Sequence, residues 1–147
     1  MRKALVAIDN SSISRGVVSF AFAYASKMGL DKLDFIHVME YRDQSIPGSV
    51  EYSIAPDSKG VKKGLAEMIR ERAAASGNPD LPHILTIRIG SPSEEIVEKA
   101  EEDDYEIIII GHRGMSNVER FFIGSVAAKV TRHAPCDVLI HRSDEPE

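Results

Sequence analysis

Two glycine-containing groups in the last third of the chain have residue types and spacing that could bind an anion. Gly111-His112-Arg113-Gly114 is followed by nine residues and then by Gly124-Ser125. Glycine lets the backbone approach a bulky anion closely, and a helix N-terminus presents unpaired amides with a partial positive charge. The two groups could therefore form a nest of N–H donors, to which the Ser125 hydroxyl and the Arg113 guanidinium could add. Alternatively, the glycines only shape a turn and ease a tight approach to a helix. Spacing alone leaves both interpretations open.

Charge is unevenly distributed along the chain. Residues 111–133 contain Arg113, Arg120, Lys129 and Arg132 against Glu119, four minus one, or +3, whereas the whole chain has a formal net charge of -5, so the remainder carries -8. An anion would find one favourable region on an otherwise acidic protein. The alternative is a helix face whose residues are basic without binding anything.

Alternating strand and helix signals predict the elements that would position these glycines. Apolar runs predict strands at 4–8, 33–38, 83–89, 107–110 and 137–140. Helical spacing and capping residues predict helices ending near Gly29, at 60–76, from Pro92 to about Glu102, and from Ser125 to about Arg132. This order predicts an α/β fold, an open five-stranded, mostly parallel sheet with helices on both faces.

In such a sheet, ligands lie beyond the carboxyl ends of the strands, where the strand order reverses. The two ends of interest are Asp9, after the first strand, and Gly111, after the fourth. A phosphate loop of the GxxxxGK[ST] type is absent from the sequence, and the turn after the first strand has no glycine. P-loop and NAD chemistry are therefore poor fits.

Composition bounds the class of protein. The length of 147 residues and the hydrophobic content of 43% fit one domain over 1–147. The acidic balance argues against nucleic-acid binding, and no apolar run approaches the ~20 residues of a membrane span. The single cysteine, Cys136, suits a reducing compartment. We therefore expect a cytoplasmic protein.

The remaining reactive residue types give no convincing site. His37, His83, His133 and His141 are interpreted as strand or helix surface residues, because no pair has a typical metal spacing. Cys136 is interpreted as a small buried apolar residue. The sequence offers no second carboxylate and no obvious base for phosphoryl transfer. Binding without rapid turnover is the better hypothesis.

The pattern GxxG, nine residues, G[ST], an Asp after the first strand, and the ending RHAPCDVLI at 132–140 resemble the universal stress protein family over nearly the whole chain. The resemblance implies a Rossmann-like, adenine nucleotide alpha-hydrolase-like fold and membership of the family's ATP-binding branch. It implies contacts to adenine or ribose by one group of residues and to ribose and phosphates by another. The first group is Ala7, Ile8, Asp9 and Val38, and the second is Gly111, Arg113, Gly114, Gly124, Ser125 and Val126.

The resemblance also implies a homodimer, in which the apolar edge strand formed by Val138, Leu139 and Ile140 pairs with its copy in a second chain. Mg²⁺ would arrive with the nucleotide, held mainly by phosphates and water. Two positions depart from the pattern. Many ATP-binding members have proline where this chain has Ala7, and the second residue after Gly111, often His, is Arg113 here. Base preference therefore stays open.

Asp9 has two interpretations. Its carboxylate could accept hydrogen bonds from ribose hydroxyls or the adenine amino group, or reach a metal through water; it could also serve as a helix N-cap. For the whole chain, the leading hypothesis is an ATP-binding regulatory module of the stress response. The alternatives are a slow ATPase or nucleotidyl transferase on the same fold, and a structural dimer with an empty pocket.

Overall fold

Strands and helices alternate throughout the part of the chain that the computed structural model describes, residues 1–40, 58–112 and 123–142. The elements in chain order are β1 (Lys3–Ala7), α1 (Ile13–Met28), β2 (Lys32–Met39), α2 (Ser58–Ala75), β3 (His83–Ile89), α3 (Pro92–Glu102), β4 (Ile107–Gly111), α4 (Ser125–His133) and β5 (Asp137–His141).

The five strands form one parallel sheet in the order β3-β2-β1-β4-β5. The sequence-based prediction of an open α/β sheet is thus confirmed. The bounds of β3 and α3 match the prediction, and the other strand bounds differ by one residue at one or both ends. The order places β1 in the centre, with β4 on one side and β2 on the other.

Alternating side chains of β1 enter two apolar clusters on opposite faces of the sheet. Ala4 and Val6 join a cluster with residues of α1 and α2, whereas Leu5 and Ala7 join a cluster with residues of α3 and α4. The isoleucines 107–110 of β4 divide between the two clusters in the same way. Because both faces are covered, a central strand must be apolar at every position, which explains the uninterrupted runs in the sequence.

A buried polar pair lies near the amino ends of the strands. The Tyr105 hydroxyl donates a hydrogen bond to the Asp34 carboxylate at 2.6 Å, and the Lys32 ammonium lies 3.2 Å from the other oxygen of that carboxylate. Tyr105 and Asp34 are 5% and 2% exposed. Burial and the hydrogen bond to Asp34 raise the pKa of the Tyr105 phenol well above its ordinary value.

Arg2 makes surface contacts that join several segments at the same end of the molecule. Its guanidinium donates hydrogen bonds to both carboxylate oxygens of Glu106, each at 2.8 Å, and to the carbonyl of Met28 at 2.7 Å. Met28 is the last residue of α1, so the cation also lies at the negative end of that helix. The hydrogen bond from Arg2 lowers the pKa of Glu106.

Cys136 is half-buried against the cluster of α3 and α4, close to the buried apolar position expected. Burial, followed by the nearby Asp137 carboxylate, raises the pKa of its thiol. None of the helices in the described residues combines the length and the apolar character needed to cross a membrane.

Candidate functional site

The strand order reverses between β1 and β4, and this defines the crevice in which a ligand would bind. Ala7 near the end of β1 pairs with Ile110 near the end of β4, so the two chains leave the sheet side by side. From β1 the chain continues into α1 on one face. From β4 it later enters α4 on the other face. The crevice between the two connections therefore lies at the carboxyl ends of these two central strands.

The N-terminus of α4 is fastened directly to the end of β4. The Gly124 amide donates a hydrogen bond of 2.6 Å to the carbonyl of His112, and the Gly124 carbonyl accepts the bond from Ala128 that closes the first helical turn. The first-turn amides, at 125–127, have no acceptor within the helix. The first turn contains no acidic side chain, and Arg132 lies in the last turn. The helix thus presents donors and a partial positive charge at the crevice.

The handedness of the backbone does not require glycine at Gly111 or Gly124, the two glycines of the pattern that the structure describes. Gly124 is the N-cap of α4 with φ -62° and ψ 157°, which any residue adopts. Gly111 is not among the positive-φ glycines of the described residues, which are Gly29, Gly77 and Gly90. Backbone handedness therefore gives no reason for glycine at these two positions. The other physical reason for glycine is the close approach of a neighbouring group, from the protein or from a ligand.

Asp9 follows β1, and one of its two carboxylate oxygens is held by three donors. Oδ1 accepts hydrogen bonds from the Ser11 amide at 3.0 Å, the Ser11 hydroxyl at 2.5 Å and the Ser14 hydroxyl at 2.9 Å. The Ser14 hydroxyl also accepts the hydrogen bond from the Asp9 amide, at 2.8 Å. Oδ2 accepts no hydrogen bond from the described residues, and Asp9 as a whole is partly exposed.

Asp9 is not the N-cap of α1, so that interpretation is wrong. The N-cap of α1 is Ser12, whose side chain makes no capping hydrogen bond, and Asp9 instead closes the turn that precedes the helix. The local reason is the spacing of an aspartate with serines two and five residues later, which lets one carboxylate oxygen meet all three donors. Ser11 and Ser14 were absent from the residues expected at the site, although this spacing is visible in the sequence.

Three of the expected residues lie at one apolar surface. Ala7 is 7% exposed in the cluster of α3 and α4, and Val38 and Val126 are partly buried against that same cluster. Ile110, which pairs with Ala7, also belongs to it. Residues from three separate elements therefore converge on the same side of the sheet as α4.

Ile8 does not share that surface. Its side chain is 6% exposed and belongs to the cluster on the opposite face, with α1 and α2. Its backbone amide donates a hydrogen bond to the carbonyl of Ile36, and its own carbonyl lies 3.1 Å from Nδ1 of His37. The residue holds the ends of β1 and β2 together through its backbone.

The surface interpretation of His37 is wrong, because this side chain is only 7% exposed. It lies on β2, which has a neighbouring strand on each side, and its ring nitrogen bonds to the carbonyl of Ile8. His112 is also buried, at 5% exposed. A histidine in a strand has no sequence signal for burial, since that depends on the strand's place in the sheet.

Two expected residues, Arg113 and Gly114, lie outside the described residues. Gly111, Gly124 and Ser125 lie at the ends of β4 and α4, as expected. Over 1–40, 58–112 and 123–142, no group of three His, Cys, Asp or Glu side chains could hold a metal ion.

Known proteins resemble the chain over almost its full length. A relative from Staphylococcus aureus (strain USA300), named as a universal stress protein, is 31% identical over 145 residues, covering 98% of this chain and 86% of its own length. The structure of a universal stress protein in complex with cAMP matches with a TM-score of 0.69 at 24% identity, covering 97% of this chain and 98% of the other.

A further structure, the universal stress protein from Archaeoglobus fulgidus in complex with dAMP, matches with a TM-score of 0.61 at 22% identity, covering 95% of this chain and 97% of the other. At such identities the two structures show that the fold is shared. The family model described as "Universal stress protein family" matches residues 1–142. This chain therefore belongs to the universal stress protein family.

Proposed function

We propose that the chain binds ATP, or a closely related adenine nucleotide, in the crevice between β1 and β4, and acts as a regulatory module that senses the nucleotide in the stress response. The observation that carries the proposal is the arrangement of two chemically different groups at one edge of the sheet. Asp9 offers a carboxylate oxygen after β1, and the N-terminus of α4 offers amides that have no acceptor within the helix, beside the end of β4. A nucleotide has hydrogen-bond donors at one end and phosphate at the other.

The α4 end suits the phosphates. Its first-turn amides lack acceptors within the helix, and its N-cap, Gly124, has no side chain to obstruct an approaching anion. Gly111 and the Ser125 hydroxyl would contribute at the same end. Arg113 and Gly114 are assigned to the phosphates by the sequence pattern alone, the former as a guanidinium that matches phosphate geometry.

The β1 and β2 ends suit the nucleoside. Adenine is flat and largely apolar on its faces, and the surface formed by Ala7, Val38 and Val126 offers apolar contacts. The backbone of Ile8 would line the same end. Asp9 would accept a hydrogen bond from a ribose hydroxyl or the adenine amino group, because an ionised carboxylate only accepts.

Two solved structures with the same fold support an adenine nucleotide over other anions, because one is a complex with cAMP and the other a complex with dAMP. Both ligands carry adenine and a single phosphate group. The number of phosphates that this chain prefers is therefore the first quantity to measure.

Mg²⁺ would enter together with a polyphosphate. The ion would be held mainly by phosphate oxygens and water, and it would neutralise part of their charge. We propose binding without rapid turnover. Asp9 already has one oxygen committed to three protein donors, which suits a fixed acceptor better than a mobile base.

Calorimetric titration with ATP, ADP, AMP and GTP, each with and without Mg²⁺, tests the proposal. We expect saturable binding of adenine nucleotides, weaker binding of GTP, and a rise of the unfolding temperature with ATP concentration, since a ligand of the native state stabilises it. Absence of binding and of any thermal shift at millimolar ATP would leave a structural protein with an empty pocket. ATP hydrolysis at constant specific activity through purification, lost in an Asp9→Asn variant, would establish an enzyme instead.

We also propose a homodimer formed through β5. This strand lies at the edge of the sheet and pairs only with β4 among the described strands, while Val138, Leu139 and Ile140 are partly exposed. An exposed apolar edge tends to acquire a partner strand. Sedimentation equilibrium should give twice the chain mass, whereas a monomer at micromolar concentration would exclude this dimer.

A further inference from the structure

Ser14 makes an unusual pair of contacts for a residue in the first turn of a helix. Its hydroxyl accepts a hydrogen bond from the Asp9 amide at 2.8 Å and donates one to Oδ1 of the same residue at 2.9 Å. The residue is only 3% exposed. A buried hydroxyl that contacts both the backbone and the carboxylate of one residue restricts the rotation of that carboxylate.

Ser11 completes the arrangement from the turn. Its amide and hydroxyl both donate to Oδ1 of Asp9, so three donors converge on this one oxygen and none of the described residues donates to Oδ2. Rotating the carboxylate away from this orientation would weaken all three bonds at once, and a half-turn only exchanges two equivalent oxygens. Oδ2 is therefore the oxygen left available for a ligand at the carboxyl end of β1.

We propose that Ser14, assisted by Ser11, is a positioning residue that fixes Asp9 so that Oδ2 accepts a hydrogen bond from the nucleoside part of the ligand and selects for ligands with a donor at that point. This inference rests on the proposed function. Since a carboxylate only accepts, a nucleoside lacking the donor leaves Oδ2 facing an acceptor or an apolar group, which loses affinity.

An adenine nucleoside has two kinds of donor that fit: the ribose hydroxyls and the exocyclic amine. Four triphosphates distinguish them: ATP, 2′-deoxyATP, 3′-deoxyATP and purine riboside triphosphate, which lacks the amine. Calorimetric titration of the full chain gives the donor penalty, defined as the ratio of the Kd of a donor-deleted nucleotide to the Kd of ATP. In the unmodified protein we expect a penalty of about ten- to hundredfold for at least one of the three, the range for a hydrogen bond to a charged group.

Ser14→Ala should lower that penalty by about threefold or more, because the carboxylate keeps only the two bonds from Ser11 and loses the buried hydroxyl that ties it to α1. Ser14→Thr restores the hydroxyl and should restore the penalty. Asp9→Asn should remove it, because the Ser11 and Ser14 donors hold the amide oxygen and leave its NH₂ group facing the ligand. If Ser14 only supported the fold, its substitution would weaken the binding of all four nucleotides equally and leave the donor penalty unchanged.

Ser12→Ala is the matched control, since Ser12 lies in the same turn, is exposed and makes no capping hydrogen bond. Its donor penalty should equal that of the unmodified protein. Thermal unfolding shows whether Ser14→Ala is folded. If it is not, Ser11→Ala tests the same proposal. If folded Ser14→Ala shows the same donor penalty as the unmodified protein, the proposed role of the serines is wrong, although nucleotide binding is unaffected. If Ser14→Ala does not fold, the same result for Ser11→Ala leads to the same conclusion. Failure of the unmodified protein to bind any of the four overturns both.

Discussion

Substitution of Gly124 should move helix stability and nucleotide affinity in opposite directions. Gly124 is the N-cap of α4, and its φ of -62° and ψ of 157° suit any residue. Aspartate in this conformation accepts a hydrogen bond from the amide of Val126 or Ala127, and its charge interacts favourably with the helix dipole. We expect Gly124→Asp to stabilise the protein by about 0.5–1 kcal/mol.

The same carboxylate competes with the ligand. It occupies an amide that a phosphate oxygen would otherwise use, which costs about 1.5–3 kcal/mol of binding free energy for a charged hydrogen bond. Repulsion between two charges ~4 Å apart in water adds about 1 kcal/mol. The sum, about 2.5–4 kcal/mol, raises the Kd for ATP about 60- to 700-fold. Gly124→Ser blocks the amide without the charge and should raise the Kd about 10- to 100-fold.

Thermal unfolding and calorimetric titration with ATP measure the two effects on the same samples. Ser91→Asp is the control, because Ser91 is the exposed N-cap of α3 and also lacks a side-chain capping bond. It follows β3, which is separated from β1 by β2 and so lies ~10 Å away across the sheet. The control should keep the affinity for ATP. A folded Gly124→Asp variant with unchanged affinity would refute the assignment of α4 to the phosphates, and an equal loss in both variants would assign the effect to net charge.

Three further predictions concern parts of the molecule away from the crevice. Tyr105→Phe removes a donor from the buried carboxylate of Asp34, so chemical denaturation should show a loss of about 1–3 kcal/mol with unchanged ATP affinity; full stability would contradict this account. Arg2 lowers the pKa of Glu106, so the contribution of that pair is present above the ordinary glutamate pKa of ~4.3 and is lost as the pH falls through the lower folded value. Plots of unfolding free energy against pH for the unmodified protein and Glu106→Gln should therefore converge in acid. Parallel plots would argue against this contribution of the Arg2–Glu106 pair. Burial raises the pKa of the Cys136 thiol, so a maleimide should react more slowly with the folded chain at neutral pH than with the chain in urea, and equal rates would count against burial.

Local signals in the sequence determine some elements well. The bounds of α3 follow from Ser91-Pro92, which marks a helix start because proline fits the first helical position. The four isoleucines at 107–110 predict a central strand because only a strand covered on both faces needs four consecutive apolar residues. In both cases the signal lies within a few residues along the chain.

Features that depend on contacts between distant residues are harder to predict. The burial of His37 follows from the position of β2 between β1 and β3, which nothing near residue 37 specifies. The contacts of Asp9 depend on how the turn places Ser14 beside it, so a helix cap was one of the two interpretations where the structure has a closed turn. The sequence identified the residue, but its geometry comes from the fold.

The glycines of the crevice illustrate the same division. In the sequence, Gly111 and Gly124 are equally consistent with a turn and with a ligand, because residue type does not reveal the sign of φ. In the structure neither has a positive φ, so a side chain at Gly124 is tolerated by its backbone and any cost must come from what approaches it. Asp9 lies in the turn between β1 and α1, and α4 packs on the face of the sheet opposite to α1. A ligand that contacts both must have a donor at one end and an anion at the other, which a free phosphate or a free nucleoside does not offer and an adenine nucleotide does.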